Sequence, residues 1–380
     1  MFARVQKYLH FSTPRLPRLN QFSRYFTTTQ VHPRVYLFQS NNIYWNLATE
    51  EYLYENLDRQ FPTLLLYRDD KSIVIGRHQN PWKECAIQAM EEDGVAFCRR
   101  KSGGGAVYHD MGNSCYSFLT PVAPDVLPLN VKVDNNKVLV RALESLGIPT
   151  ELSERNDVHY QGKKVSGSAY QASLGKKDGS GRKTLHHGTM LLHADLVSLK
   201  KYLNPKKEKL VSKGVDSVKS PTTNLNVANP NLNHELFCSA VVTEFLKLYP
   251  DQPYTIEDFT QEMMEKNERI VEIYNEITTF EWKFIKTPEF VNEIEETFDW
   301  GKVYISMKVV QGVIEEPVVD IEPSYPDLLE ALRQELESKT IVYHHDSFTE
   351  LFQRLGKQFE KNILYSNILY DLELWAPKAL

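Results

Sequence analysis

The sequence is poor in the residues that staple or anchor a chain. It has 4 cysteines in 380 residues, at positions 85, 98, 115 and 238, and no C-x-x-C pair. That leaves zinc-ribbon and thioredoxin-type chemistry without support, and the cysteines are expected to be buried thiols. No stretch approaches the ~20 consecutive apolar residues of a membrane span. No internal repeat recurs. Acidic residues are missing from the start: the first is Glu50, preceded by Arg4, Lys7, Arg15, Arg18, Arg24 and Arg34 among Ser12, Thr13, Ser23 and a run of three threonines, Thr27, Thr28 and Thr29. An acid-free beginning rich in Arg and hydroxyls has the composition of a mitochondrial transit peptide. Residues 1–30 are therefore set aside from the fold, and the mitochondrial matrix is the expected location. The net charge of −6 gives no whole-chain case for nucleic acid.

The two common phosphate loops are also missing. Around RRKSGGGAVYHD (99–110), G-x-x-x-x-G-K-[S/T] fails, and G-x-G-x-x-G fails because Tyr108 stands in the last glycine's place. Three glycines, Gly103, Gly104 and Gly105, nevertheless follow Arg99, Arg100 and Lys101. Bare backbone beside cations suits a phosphate or carboxylate on main-chain N–H groups, or equally a tight strand–turn–strand. The segment alone leaves both open.

What is present reads as an α+β (mixed α/β) chain. Hydrophobic content of 42% and charged content of 25% allow a sizeable core, and the length favours one large and one small domain. Strands are expected at RVYLFQS (34–40), twice in TLLLYRDDKSIVIGRHQN (63–80) about a polar turn, and twice in VAFCRRKSGGGAVYHD (95–110). Further strands fall at NSCYSFLTPV (113–122), near Val158 and Val165, and at 187–192. Helices fit WNLATEEYLYENL (45–57, with Asn46 as cap), WKECAIQAMEED (82–93) and NKVLVRALESLGI (136–148). A composition shift near Pro250 places a catalytic domain at 31–250 and an accessory domain at 255–380. The latter holds a hairpin turning at Gln311-Gly312 and helices at 326–338, 347–359 and 367–375. ASLGKKDGSGRKT (172–184) has almost nothing apolar to bury and reads as a mobile surface excursion.

Some residues carry chemistry. In RNDVHYQGKKVSGSAYQ (155–171), Lys164 precedes a run of small residues, so it points into a groove floored by backbone or is a solvated charge. Asn156-Asp157 suits a nucleotide or hard cation, or a simple turn. His186-His187 has no acidic or cysteine partner at ligand spacing and reads as the start of a buried strand.

IGRHQNPWKEC (75–85), RRKSGGGAVYHDMGNSCYSF (99–118), RNDVHYQGKKVSGSAYQ (155–171), HHGTMLL (186–192) and YLNPKKEKLVSKGVDSV (202–218) together resemble the lipoate–protein ligase A family. FEWKF and FDWGKVYISM resemble that family's accessory domain, so the likeness covers nearly everything after residue 30. The resemblance implies a biotin/lipoate ligase-like catalytic domain with a smaller C-terminal α+β domain. It implies that lipoate or octanoate reacts with ATP and Mg²⁺ to give acyl-AMP, whose acyl group passes to a lysine of a lipoyl domain. It assigns Lys164 as the catalytic lysine. Arg100, Gly103, Gly104, Gly105, Ala106, Val107, Tyr108, Asn156, Asp157, Ser168 and Ala169 fall in the nucleotide or acyl-adenylate stretches, with Asp157 as the metal contact. Arg77, His78, Gly103 and His187 fall in the lipoyl pocket. The implied acceptors are lipoyl domains of 2-oxoacid dehydrogenase E2 subunits and the glycine cleavage H protein, with neither nucleic acid nor membrane as partner. Related octanoyl transferases use an acyl-cysteine, but Cys115 also fits the ligase pattern and reads as packing. An acyltransferase using octanoyl-CoA, lipoyl-CoA or preformed lipoyl-AMP shares these motifs. A non-catalytic lipoyl-domain binder is a third class, and it should have lost Lys164.

Overall fold

The computed structural model describes residues 31–380, apart from 155–156, 177–180, 204, 206–208, 219 and 339–340. In chain order the elements begin β1 (Arg34–Phe38), α1 (Ile43–Glu55), β2 (Thr63–Tyr67), β3 (Ser72–Ile75), α2 (Pro81–Glu84), α3 (Ile87–Glu92), β4 (Ala96–Arg99), β5 (Val107–His109) and β6 (Asn113–Pro121). There follow α4 (Pro128–Ser145), β7 (Glu151–Leu152), β8 (Val158–Tyr160), β9 (Lys163–Ser166), β10 (Ser168–Ser173), β11 (Lys183–Leu191), α5 (Leu196–Tyr202) and β12 (Leu210–Ser212). The remainder is α6 (His234–Leu246), β13 (Thr255–Phe259), α7 (Gln261–Glu265), α8 (Glu268–Thr278), β14 (Phe290–Phe298), β15 (Gly301–Val310), β16 (Val313–Glu322), α9 (Pro326–Glu337), α10 (His345–Gln358) and α11 (Ile363–Ala379). No helix among the described residues is long and apolar enough to cross a membrane.

These elements form two compact units. Of the described residues, one comprises 31–77, Ala96–Lys200 and Ser217–Thr278; the other comprises His78–Val95, Lys201–Asp216 and Thr279–Leu380. The division is interleaved, whereas the composition shift near Pro250 suggested a contiguous one. Hydrogen bonding and packing decide it. β13 pairs in parallel with β1 and so belongs to the first sheet. β12 pairs with β14, and Trp82 packs its ring against Phe284, Phe290 and Tyr343 at centroid distances of 5.5, 5.4 and 4.9 Å.

The first unit is built on a six-stranded sheet of order β10-β11-β6-β2-β1-β13. Every residue of β2 and β6 is buried, because both faces of the sheet are covered; that is why TLLLY is a continuous apolar run rather than an alternation. Successive side chains still point to opposite faces. On one face Leu64, Leu66, Tyr116, Phe118 and Met190 join α4 and α6 in the core. In the β11–β6 pairing, His186 lies opposite Phe118 on that face, and His187 lies opposite Ser117 on the other. α1 is capped by Asn42, whose side chain accepts from the backbone of Tyr44 and Trp45. Asn46, the expected cap, is instead fully buried one turn in. Its Nδ2 donates to Ser40 O at 3.0 Å and Asp69 Oδ1 at 2.7 Å. α1 is held to α8 by Trp45 stacking on Tyr274 at 4.0 Å.

The Asp-Asp-Lys segment is not a hairpin turn. β2 and β3 lie in different sheets, β3 between β4 and β5, because Asp69 is buried and bonded to Asn46 and His109. The second unit carries the four-stranded sheet β12-β14-β15-β16. Alternate residues of β15 are buried, as expected of a sheet with one covered face. Gln311 (φ 50°) and Gly312 (φ 73°) turn the β15–β16 hairpin as the sequence suggests.

Candidate functional site

The glycine run is a tightly packed loop before it is anything else. Gly104 has φ +96°, and a Cβ there would lie 2.7 Å from the Arg100 guanidinium and 3.2 Å from Ala169 Cβ. A Cβ on Gly76 would collide with the Gly104 carbonyl, and one on Gly105 would press on Ser217 Oγ at 3.1 Å. Ala106 N–H donates to that hydroxyl at 2.9 Å. Gly103 alone faces open space within 4 Å. Two of the three glycines thus answer to neighbouring protein, and Gly103 is where another group can approach bare backbone.

Arg100 explains the loop's shape. It is buried, and its guanidinium donates to Gly103 O (2.6 Å), Gly105 O (2.8 Å) and Val74 O (3.3 Å), with Nε reaching Ser102 Oγ at 3.1 Å. Burial pulls its pKa down to about 10. Its donors are aimed at carbonyls, so it shapes the glycine loop rather than presenting charge on the outside. Arg99 NH1 holds Arg77 O at 3.0 Å. Arg77 and His78 are exposed, and His78 opens the second unit. Tyr108 is buried on β5, while Ala106 and Val107 are half-buried.

Lys164 stands at the other wall. Its Nζ pairs with Asp157 Oδ2 at 3.0 Å, and a Cβ on Gly167 would touch its Cε and Nζ at 3.4 and 3.7 Å. The small run after it therefore leaves the ammonium its space. Ala169 ties this segment to the glycine loop through Gly104. Ser168 Oγ is buried without a hydrogen-bond partner among the described residues, a state polar groups avoid unless a ligand or water completes them. Lys163 is exposed while Lys164 is half-buried. Burial holds Lys132, on α4, below its ordinary pKa; Asp157 opposes this and Lys164 adds to it. Asp157 is therefore one carboxylate serving an ammonium, with a second ammonium in its field. That donor set does not fit a resident divalent cation, which takes several oxygens. Asn156 lies outside the described residues, as do residues 177–180 of the excursion at 172–184.

A third group joins His187, expected in the lipoyl pocket, to residues that the sequence did not single out. His187 Nδ1 lies 2.6 Å from Glu50 Oε1, and its Nε2 lies 2.7 Å from Ser102 Oγ. Ser117 Oγ also donates to Glu50, and Tyr67 OH does so at 3.4 Å. The spacing is that of a Ser–His–Glu hydrolase triad, yet the environment is not. Ser102 Oγ already accepts from Arg100, and Ser102 is 3% exposed. The cavity against it, lined by Leu47, Leu185, Ile273 and Ile277 together with Glu51, Arg99, Arg100 and Lys101, measures about 10 Å³, room for a single water. The array is the hydrogen-bonded end of a narrow slot whose aliphatic wall is Leu47, Leu185, Ile273 and Ile277. Glu50 carried one usable signal: the buried positions of α1 include 43, 46, 47, 50 and 54, so a charge falls on the buried stripe, which needs a partner.

Cys115 belongs to a separate buried cluster. Its Sγ lies 3.6 Å from both Asp69 Oδ2 and His109 Nδ1, which are 2.7 Å apart. Burial and the Asp69 carboxylate push its thiol well above the usual range. It is a protonated thiol without a general base of its own, since the same imidazole nitrogen faces Asp69. A separate cavity of about 530 Å³ between α9 and α10 is lined by Gln334, Glu335, Glu350, Arg354 and Gln358 and holds none of the site residues expected from the sequence.

Residues 42–246 match the family model of the lipoyl protein ligase A/B catalytic domain. The lipoate-protein ligase A of Psychrobacter cryohalolentis is 36% identical over 320 residues, 83% of this chain and 90% of that protein. The crystal structure of P. falciparum LipL1 in complex with lipoate is 30% identical and superposes with a TM-score of 0.55, covering 91% of this chain and 99% of that one. A crystal structure of lipoate-protein ligase A bound with ATP has the same fold at 23% identity, with a TM-score of 0.55, covering 67% of this chain and 98% of that one.

Proposed function

The chain belongs to the lipoate–protein ligase A/B family, and from that premise we propose that it activates lipoate or octanoate with ATP and passes the acyl group to a lipoyl-domain lysine. In the first step a carboxylate oxygen attacks the α-phosphorus and pyrophosphate leaves. In the second the acceptor amine attacks the acyl carbonyl and AMP leaves. Both steps gather negative charge on phosphate oxygens, so fixed cations and backbone donors supply the catalysis. The observation that carries this is the Lys164 ammonium, set beside Gly167 where no side chain intervenes. An ammonium has three donors, so Lys164 can keep Asp157 and still bridge carboxylate and α-phosphate. Gly103 offers the bare backbone, and Ser168 Oγ an uncommitted hydroxyl. Magnesium enters with the nucleotide as Mg·ATP, its oxygens supplied by phosphates, since Asp157 is committed to Lys164.

The acyl tail runs to the slot that ends at His187 and Glu50. At about 10 Å³ the slot must open to admit it. The acceptors are lipoyl domains of 2-oxoacid dehydrogenase E2 subunits and the glycine cleavage H protein. The acid-free start supports import into the mitochondrial matrix, with residues 1–30 removed. The test is donor choice, read by intact mass of an apo lipoyl domain incubated with enzyme. Lipoate plus Mg·ATP should add one lipoyl mass. Modification by octanoyl-CoA or preformed lipoyl-AMP alone, with none by lipoate plus ATP, would replace the ligase with a transferase.

A further inference from the structure

Two elements of the second unit bring together a set of side chains that the ligase reaction does not use. Glu91 sits near the end of α3. His344 caps α10, and His345 and Asp346 open it. His345 Nε2 lies 3.0 Å from Glu91 Oε2 and 3.3 Å from Asp346 Oδ1. His344 Nε2 lies 3.6 Å from Glu91 Oε1, and its Nδ1 lies 3.5 Å from Asp346 Oδ2. The two imidazoles are 4.2 Å apart, and Phe280 and Phe284 back His344 edge-on at 5.6 and 5.9 Å.

We propose that Glu91, His344 and His345, with Asp346 beside them, form a binding site for a divalent transition metal of the zinc class, clamping α3 to the start of α10. One ligand atom each from Glu91, His344 and His345 can be drawn within 4.8 Å of one another. Zinc–nitrogen and zinc–oxygen bonds of ~2.0–2.2 Å place ligands about 3.3–3.6 Å apart around a tetrahedron; the His344 Nε2–Glu91 and His345 Nε2–Asp346 separations of 3.6 and 3.3 Å fall in that interval, and His345 Nε2–Glu91 at 3.0 Å lies just short of it. Two imidazoles with carboxylates suit zinc, nickel or copper, whereas magnesium and calcium take oxygen alone. The imidazoles are only 13% and 19% exposed, while Glu91 and Asp346 reach solvent at 45% and 73%. The nitrogens are thus preorganised and an ion still has a way in.

Two features oppose the site, and both have an answer. The positive end of α10 disfavours a cation, but the Glu91 carboxylate faces both imidazoles and the Asp346 carboxylate stands beside them. His344 Nδ1 accepts a long cap bond from Asp346 N–H at 3.4 Å. To ligate through Nε2 the ring must carry its proton on Nδ1, where Asp346 Oδ2 can accept it, an arrangement that orients metal-bound imidazoles elsewhere. The trio Asp69, His109 and Cys115 also converges, but all three are buried, with the facing atoms of Asp69 and His109 bonded to each other, so it serves as the control.

The experiment titrates chelator-stripped full-length protein with zinc chloride by calorimetry. Metal content is counted after dialysis, and circular dichroism monitors folding. One zinc per chain with a micromolar dissociation constant is expected, unaffected by millimolar magnesium. His345→Ala and Glu91→Gln should each weaken binding at least tenfold. His344→Asn should do the same while retaining a side chain that caps the helix. Cys115→Ser should bind as tightly as the parent. Absence of stoichiometric zinc, equal affinity in His345→Ala and Glu91→Gln, or loss of binding in Cys115→Ser would each overturn the proposal. Ligase activity is not part of the readout, so failure here leaves the acyl-transfer reading intact.

Discussion

His186 and His187 are neighbours on one strand and have opposite fates. His186 points to the face packed by α4 and α6, beside the rings of Phe118 and Tyr116, with both nitrogens buried and without hydrogen-bond partners among the described residues. His187 points to the other face, with Glu50 and Ser102 on its two nitrogens. The same alternation divides Phe118 from Ser117. One face of the sheet stabilises the unit by excluding water. The other collects polar groups that need partners, and the glycine loop and the Lys164 segment adjoin it through Ala169 and Gly104. The lesson is that burial is common to both faces; for this pair of histidines, what differs is whether the ring nitrogens are satisfied.

A paired substitution separates the faces most strongly. Phe118→Ala should cost ~3–5 kcal/mol of stability, as large-to-small changes at filled core positions do. Lys164→Met should leave stability nearly unchanged, yet slow acyl-adenylate formation by about 10²–10³, the usual cost of one preorganised donor at developing charge. Denaturant unfolding and pyrophosphate release measure the two effects. Lys163→Met is the companion control and should be mild, since Lys163 is exposed. A fully active Lys164→Met enzyme would erase the functional distinction.

A smaller effect follows from pH. Burial holds His186 well below its ordinary pKa, and Lys132 and His187 push the same way. His234, on α6, is lowered to about 3, chiefly by burial. Below pH ~6.5 the unfolded chain binds protons at these positions and the folded chain does not, so stability falls as pH falls. Each such group adds about 1.4 kcal/mol per pH unit to that slope. His186→Leu should remove one such increment between pH 5 and 6.5, whatever it does to stability at pH 7.5. An unchanged slope would mean that His186 is protonated in the fold and the core face is less dry than drawn.

Much of this was legible in the residues. The strands, the Gln311-Gly312 hairpin and the late helices show as periodicity and turn chemistry, because those signals are local. The interleaved units were not legible. The β1–β13 and β12–β14 pairings join residues far apart in sequence, and composition near Pro250 carries no trace of them. α6 and α8 escaped notice for different reasons. α6 is buried on nearly every side and so shows little amphipathic pattern; α8 follows a stretch whose composition suggested a domain boundary. At the site, Lys164 and the glycines were visible as types, but their orientation was not. Arg100 looked like a phosphate cation, and only the fold reveals carbonyls around its guanidinium. Glu50 and His187 are 137 positions apart, so nothing short of the sheet register could bring them together.

The smallest expected effect is the most diagnostic of mechanism. Cys115 lies on the polar face and would be the nucleophile if the chain transferred acyl groups through a thioester. A thiolate is the reactive form, yet burial first, and then the Asp69 carboxylate, push this thiol well up. His109 cannot serve as its base, because the nitrogen nearest Sγ is the one already facing Asp69. Adenylation needs no thiol at all, since AMP is leaving group enough for an amine to displace. Cys115→Ala should therefore keep near-parental transfer to the lipoyl domain and lose ~1 kcal/mol of stability, about that of one buried methylene-sized group. Intact mass of the parent enzyme during turnover supplies the opposing outcome. An acyl adduct on the chain that vanishes in Cys115→Ala, together with loss of transfer, would make the polar face a thioester site and move Lys164 to a supporting role.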